Sequence, residues 1–456
     1  MKIVIVSLTL VIFGCASSGP KMDLPDHSTK KLKNGLEILH VHDKTLPYVS
    51  LGLLIKVGAS SDPLAKSGLA QLTAELIERG TKNKSAEQIS DAFGRLGTGL
   101  SIRTDYDFTY VSVAGLSRTR DELLQLFVEV ITEPAFAAPE VERLKREFVA
   151  GIKRNYDQPR WVAGRTFAQF LYGQHPYGRE VGGSVRDIQS IKQKDIIRHY
   201  LKSFRPNQSL LVVVGDVDKN QLAEIERKFS SWTSREQEKE ESINMTEVPG
   251  SQIRLVHRAD LQQSEVRLGH IGIKRKNDDY LALTVADTIL SGGFNSRLMR
   301  EIRVKRGLTY GISAGFSPRL DRGPFLISSN TRHEKVGELI TETKNTLEEF
   351  YNNGVTEVEV NDAKGYLRGL FPRRLETPEQ LANMMATLKF YDISDDYLED
   401  YIKNLNKISA KEVNRVIKQY YRPADLKILV YGPQGKVLSQ LRPIGAVEVK
   451  NYREVF

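Results

Sequence analysis

Apolar and polar positions repeat along this chain on two scales. Residues 191–215, IKQKDIIRHYLKSFRPNQSLLVVVG, align without gaps to residues 408–432, ISAKEVNRVIKQYYRPADLKILVYG, at a constant offset of 217 positions. Lys194 pairs with Lys411, Arg198 with Arg415, Arg205-Pro206 with Arg422-Pro423 and Gly215 with Gly432. Each copy has helix-period apolar spacing, then an aromatic, a turn at Arg-Pro and an unbroken apolar run of strand length. An internal repeat of this kind predicts two homologous lobes.

The segments upstream of each copy follow one order. In the first half, strands are expected near 36–42 and 49–57, then a helix from Gly68, a helix opened by a Ser85/Gln88 capping box, and strands near 100–104 and 108–114. In the second half, strands are expected near 253–257 and 266–273, helices from about 279 and 296, and strands near 309–316 and 324–329. The fold class read from this is α+β, each lobe a mostly antiparallel sheet backed by helices. The lobes span 28–232 and 250–446. The polar stretch TSREQEKEESINMTEV places a linker at 233–249.

At 456 residues and 40% hydrophobic content, the chain is long enough for more than one core. The formal charge of +9 comes from 66 basic residues set among 57 acidic ones, and the densest basic cluster, Lys274-Arg275-Lys276, runs directly into Asp278 and Asp279. No basic stripe with interleaved aromatics is present, so a nucleic-acid partner is not expected. At the N-terminus, Lys2 precedes an apolar run over 3–13 that suits a secretory signal and is too short to span a bilayer. Ile12-Phe13-Gly14-Cys15 resembles the lipobox of bacterial lipoproteins, which implies a signal peptide over 1–15, lipidation at Cys15 and a tether over 16–27. Cys15 is the only cysteine, so the rest of the chain is indifferent to an oxidising compartment. Ala16 after it implies, by the same resemblance, the outer membrane facing the periplasm.

The helix over 68–81, GLAQLTAELIERGT, has an apolar stripe at Leu69, Leu72 and Leu76 and a polar one at Gln71, Glu75 and Glu78. Its frame resembles the zinc-binding helix of the pitrilysin, insulinase and mitochondrial processing peptidase family, an inverted zincin that reads G-L-A-H-x-x-E-H followed by G-T. Ligands at i and i+4 project from one side of a helix, and the residue at i+3 sets a carboxylate beside the metal-bound water. Here Gln71 and Glu75 stand at the two His positions, Ala74 at the catalytic Glu, and Gly151 where the resemblance places the third ligand. Gln71 and Gly151 supply no zinc donor and Ala74 has no proton to move, so no catalytic zinc is expected in this chain. A Glu75/Glu78 metal site is the remaining option, and oxygen-only ligation suits calcium or manganese better than zinc.

The segment over 300–316, REIRVKRGLTYGISAGF, resembles the second-lobe signature L-R-E-x-x-G-L-x-Y of the same family. Counting back from Tyr310 selects Arg303. A phenol can donate to the oxyanion formed when water attacks an amide, and a guanidinium can bind peptide carbonyls. Lys56-Val57-Gly58, His175-Pro176-Tyr177-Gly178 and LSGGFNSRL over 290–298 also match. His175 is expected to be structural, and His40 and His42, on one strand face, to be surface polar residues. The resemblance implies a zinc-free subunit that lends Arg303 and Tyr310 to the zinc site of a homologous chain, as a heterodimer acting on peptides or unfolded segments. The other reading it allows is a scaffolding homologue with no proteolytic role.

Overall fold

The computed structural model describes residues 25–233, 244–394 and 396–454; Cys15 and most of the expected linker lie outside them. The first lobe builds a six-stranded sheet from β1 (His27–Lys31), β2 (Glu37–His42), β3 (Tyr48–Ile55), β4 (Ser101–Thr104), β5 (Thr109–Leu116) and β6 (Ser209–Gly215), in the order β1-β2-β6-β3-β5-β4. The second uses β7 (Gln252–His257), β8 (Ser264–Ile271), β9 (Ile312–Phe316), β10 (Pro324–Thr331), β11 (Lys427–Gly432) and β12 (Val447–Asn451), in the order β12-β7-β11-β8-β10-β9. Apart from the outermost β1 and β12, the two orders are the same. The repeat strands β6 and β11 hold equivalent central places, each parallel to one neighbour and antiparallel to the other. Buried on both faces, they carry the unbroken apolar runs seen in the sequence. Gly215 closes β6 at φ +124°, where a Cβ would sit 2.1 Å from the Tyr48 carbonyl oxygen.

The lobes exchange helices. The Pro159–Tyr172 helix of the first lobe packs Val162, Ala163, Phe167 and Leu171 against Val256, Ile271, Leu429 and Tyr431 of the second sheet. Reciprocally, the Pro378–Phe390 helix of the second lobe lies on β3 and β6, its Leu381, Ala382 and Met385 in one core with Leu54, Leu210 and Val212. Phe390 stacks obliquely on Phe108 at 5.1 Å. A polar seam joins the lobes beside this exchange. Tyr177 donates to Asp107 at 2.6 Å, Asp107 accepts the Leu320 amide at 2.8 Å, and Arg319 lies 3.7 Å over the Tyr106 ring. His175 is structural, as its His-Pro-Tyr-Gly turn predicts: its Nδ1 accepts the Tyr177 amide at 3.2 Å.

Several local expectations change. His40 is only 8% exposed rather than a surface residue, and both His40 and His42 bond the Val217 carbonyl, at 2.9 and 2.8 Å, which ties β2 to the turn after β6. The strand expected over 309–316 begins at Ile312, and the helix expected from about 296 runs as a π-helix over Met299–Lys305. β12 carries the second sheet past position 446; its exposed, charged VEVKN pattern marks an edge strand that apolar patterning does not reveal. Glu247, at the end of the expected linker, is held by Arg422 at 2.7 Å and also by Arg322. The Ser85/Gln88 capping box forms as read.

Edge strand β9 is fastened from behind by the Tyr280–Ser291 helix. Its Ala314 amide donates to Ser291 Oγ at 2.8 Å and its Phe316 amide to Asp287 Oδ2 at 2.9 Å, while Tyr421 donates to Asp287 Oδ1 at 2.7 Å. Burial pushes the Asp287 carboxyl up to about 7, against the pull of those two donors. A carboxyl raised in the folded state stabilises fully below its unfolded value, and that contribution is lost as pH rises through about 7. The stability advantage of wild type over Asp287→Asn should therefore be largest near pH 4 and shrink toward pH 7, by up to about 1.4 kcal/mol per pH unit. Urea titrations of both proteins across that range check this, and a constant or growing advantage would contradict it. The helix exchange makes a separate prediction. Phe167→Ala should cost about 3–5 kcal/mol and leave a single unfolding transition for both lobes; two resolved calorimetric transitions in the wild type would show the lobes to be independent.

Candidate functional site

The helix that would carry zinc forms over Leu69–Leu76, shorter than the 68–81 expected, so Glu78 lies in the turn after it and not on its polar stripe. Gly68 starts it at φ +95°, and a Cβ there would come within 2.8 Å of the Gly182 carbonyl oxygen. Buried Asp62 caps it, accepting the Gly68 amide at 2.7 Å and the Ala70 amide at 2.9 Å. Burial raises the Asp62 carboxyl to about 7, opposed by those amides and by Arg179.

The ligand positions satisfy one another. Gln71 Nε2 donates to Glu75 Oε1 at 2.8 Å, so the two side chains that stand where imidazoles would converge on a metal close a hydrogen bond between themselves. Ala74 is fully buried and offers only a methyl group. Burial raises both the Glu75 and Glu78 carboxyls. Gly151 lies on the Ala138–Asn155 helix, which packs against the motif helix and is joined to it by Arg79 and Glu147 at 3.1 Å. A Cβ at Gly151 would meet only Arg154 Nη2, at 3.8 Å, so the place of the third ligand is sterically open. Among the described residues no group of three or more His, Cys, Asp or Glu side chains is placed to hold a metal, and the Glu75/Glu78 pair gains no third donor.

Arg303 and Tyr310 lie on the second lobe, on the π-helix and on the loop leading to β9. π-turns shift the side chains that follow them relative to an α-helix and recur at functional sites. The cations around Arg303 are neutralised: Arg297 by Glu359 at 2.8 Å, Lys305 by Glu301 at 2.5 Å, and Arg306 by Glu301 and Glu342 at 3.0 and 2.8 Å. Arg300 approaches Glu301 at 3.7 Å. Among the described residues Arg303 alone in this segment faces no carboxylate. Its guanidinium stands 5.1 Å over the exposed ring of Phe294, from the Gly-Gly-Phe loop. Tyr310 is 85% exposed, a wide departure from a half-buried strand aromatic. Phe294 lies within the matching LSGGFNSRL segment, and an aromatic next to two glycines and ahead of a basic helix is the signal in the sequence that marks it.

The two sheet edges nearest these sites differ. On β9 the outward amides of Ala314 and Phe316 are taken by Ser291 and Asp287. On β4, which packs against the motif helix, the described backbone makes no hydrogen bond beyond its pairing with β5. An open edge of that kind accepts an extended peptide.

Restoring the donors should restore the metal. The variant Gln71→His, Glu75→His, Gly151→Glu is expected to bind about one zinc per chain with micromolar or tighter affinity, and the wild type none, by calorimetry with elemental analysis. No uptake by the variant would show that more than the ligands has been lost.

Comparison with known proteins bears on the family and the fold. Residues 37–183 match the family described as insulinase (peptidase family M16), and residues 190–367 match the peptidase M16 inactive domain. The chain is 27% identical over 404 residues to an uncharacterized zinc protease of Rickettsia bellii, covering 86% of this chain and 97% of that protein. It is 25% identical over 404 residues to the non-peptidase homolog YmxG of Helicobacter pylori, covering 88% and 92%. The crystal structure of a peptidase M16 inactive domain from Pseudomonas fluorescens superposes with a TM-score of 0.84 at 28% identity, over 90% of this chain and 98% of that one. With two models of one family matching residues 37–183 and 190–367, and a fold shared over 98% of a solved relative, the chain belongs to the insulinase, or M16, peptidase family.

Proposed function

We propose that this protein is the zinc-free subunit of a split M16 metallopeptidase, lending Arg303 and Tyr310 to the zinc site of a homologous partner chain. The observation that carries the reading is the contrast between the two sites. Gln71 and Glu75 are bonded to each other where zinc would sit, while among the described residues Arg303 meets no carboxylate, and Tyr310 stands 85% exposed. Leaving a cation and a phenol unpaired on a surface otherwise rich in ion pairs is consistent with groups kept available for a ligand.

In this reading the partner supplies zinc and its water. Tyr310 donates its phenolic hydrogen to the oxyanion that develops on the scissile carbonyl, and the Arg303 fork binds a neighbouring peptide carbonyl. The peptide is held as an added strand on the sheet edge beside the partner's zinc, which gives broad recognition of extended or unfolded segments. The lipobox-like Cys15 would anchor the complex to the bacterial outer membrane, facing the periplasm.

The test is to purify the C-terminally tagged protein from its native membrane and assay zinc, co-purifying chains and peptide cleavage together. A zinc-bearing homologue should co-purify, and Arg303→Ala or Tyr310→Phe should each lower kcat by about 10²–10³. A lone, metal-free and inert protein would instead mark a scaffold.

A further inference from the structure

Tyr310 is exposed, yet the backbone on both sides of it is pinned. Thr331 Oγ1 donates to the Leu308 carbonyl oxygen at 2.6 Å, and the single hydroxyl hydrogen of Ser329 is shared between Thr309 Oγ1 at 3.1 Å and the Gly311 carbonyl oxygen at 3.0 Å. Thr309 completes the set: its hydroxyl accepts the Gly311 amide at 3.1 Å and reaches the Gly311 carbonyl at 2.9 Å. Ser329 and Thr331 are 6% and 2% exposed, stand two apart on β10 and therefore share one face of the sheet. Both hydroxyls thus come from the rigid interior of the sheet and are spent on a surface loop.

A loop that served only to connect the π-helix to β9 would need no such grip. Loops ordinarily satisfy their backbone groups with water, and a buried hydroxyl can equally well bond within its own strand. Here three flanking positions, 308, 309 and 311, are fixed from β10, and only the Tyr310 side chain is left facing solvent. From this geometry we infer that Ser329 and Thr331 are positioning residues, a hydroxyl clamp that presents the Tyr310 phenol at a fixed place to a substrate carbonyl held against the partner chain.

This rests on the in-trans role of Tyr310 argued above, and its failure can be told apart from failure of that role. The variants are Ser329→Ala and Thr331→Val, singly and together, with Thr331→Ser as the conservative control and Tyr310→Phe as the reference. Two quantities are read on each: hydrogen exchange of the amides of residues 309–311 in the isolated chain, and kcat and KM of the co-purified complex on an internally quenched peptide. The clamp predicts that the double variant keeps its melting cooperativity, loses at least about tenfold in exchange protection over 309–311 and loses about tenfold in kcat with little change in KM; Thr331→Ser should recover most of both. Should the double variant fail to fold, the single variants carry the same test at smaller amplitude. Unchanged protection in the clamp variants overturns the clamp. So does a loosened loop with kcat within twofold of wild type while Tyr310→Phe is impaired. If Tyr310→Phe itself cleaves normally, the role of Tyr310 falls, and the purpose of the clamp falls with it.

Discussion

The reciprocal exchange of helices between the lobes is the constraint on which the rest of the structure depends. Each sheet has one face covered by a helix from the other half of the chain: Pro159–Tyr172 on the second sheet, Pro378–Phe390 on the first. Neither lobe can bury its sheet without its counterpart, so apolar burial, the largest favourable term in folding, is shared across the lobe boundary. The seam of Tyr177, Asp107, Leu320 and Arg319 then ties the lobes together beside this exchange. The surface that carries Arg303 and Tyr310 is thereby held in a set relation to the surface that carries the lapsed zinc motif.

The two halves of this doubled chain differ at the places the family motifs mark. In the first lobe the groups at the metal positions have turned inward: Gln71 bonds Glu75, Ala74 is buried and Gly151 leaves a gap. In the second lobe Tyr310 faces outward and Arg303 meets no carboxylate among the described residues, while Arg297, Lys305 and Arg306 around them are neutralised. The same asymmetry appears at the sheet edges, where β9 is closed by Ser291 and Asp287 and β4 is open.

Much of this was legible in the sequence because it rests on local rules. The repeat at 191–215 and 408–432 located both central strands and the two-lobe plan, since a doubly buried strand must be apolar throughout. The frame of the motif helix was legible from its two stripes. The edges were not: β1 and β12 are polar and short, and an edge strand has one side in water. Nor was the helix exchange, because periodicity shows that a helix has an apolar face without showing which sheet that face covers. The burial of His40, the exposure of Tyr310 and the hydroxyls of Ser329 and Thr331 depend on contacts between residues far apart in the chain. No local pattern reports those.

The most direct test of the central claim is to ask what Tyr310 faces in the assembled complex. A photo-crosslinking benzoylphenylalanine incorporated at position 310 in the full chain, activated in its native membrane and mapped by mass spectrometry, is expected to join a homologous chain beside an intact H-x-x-E-H helix. Crosslinks confined to this chain, or to an unrelated protein, would contradict the account.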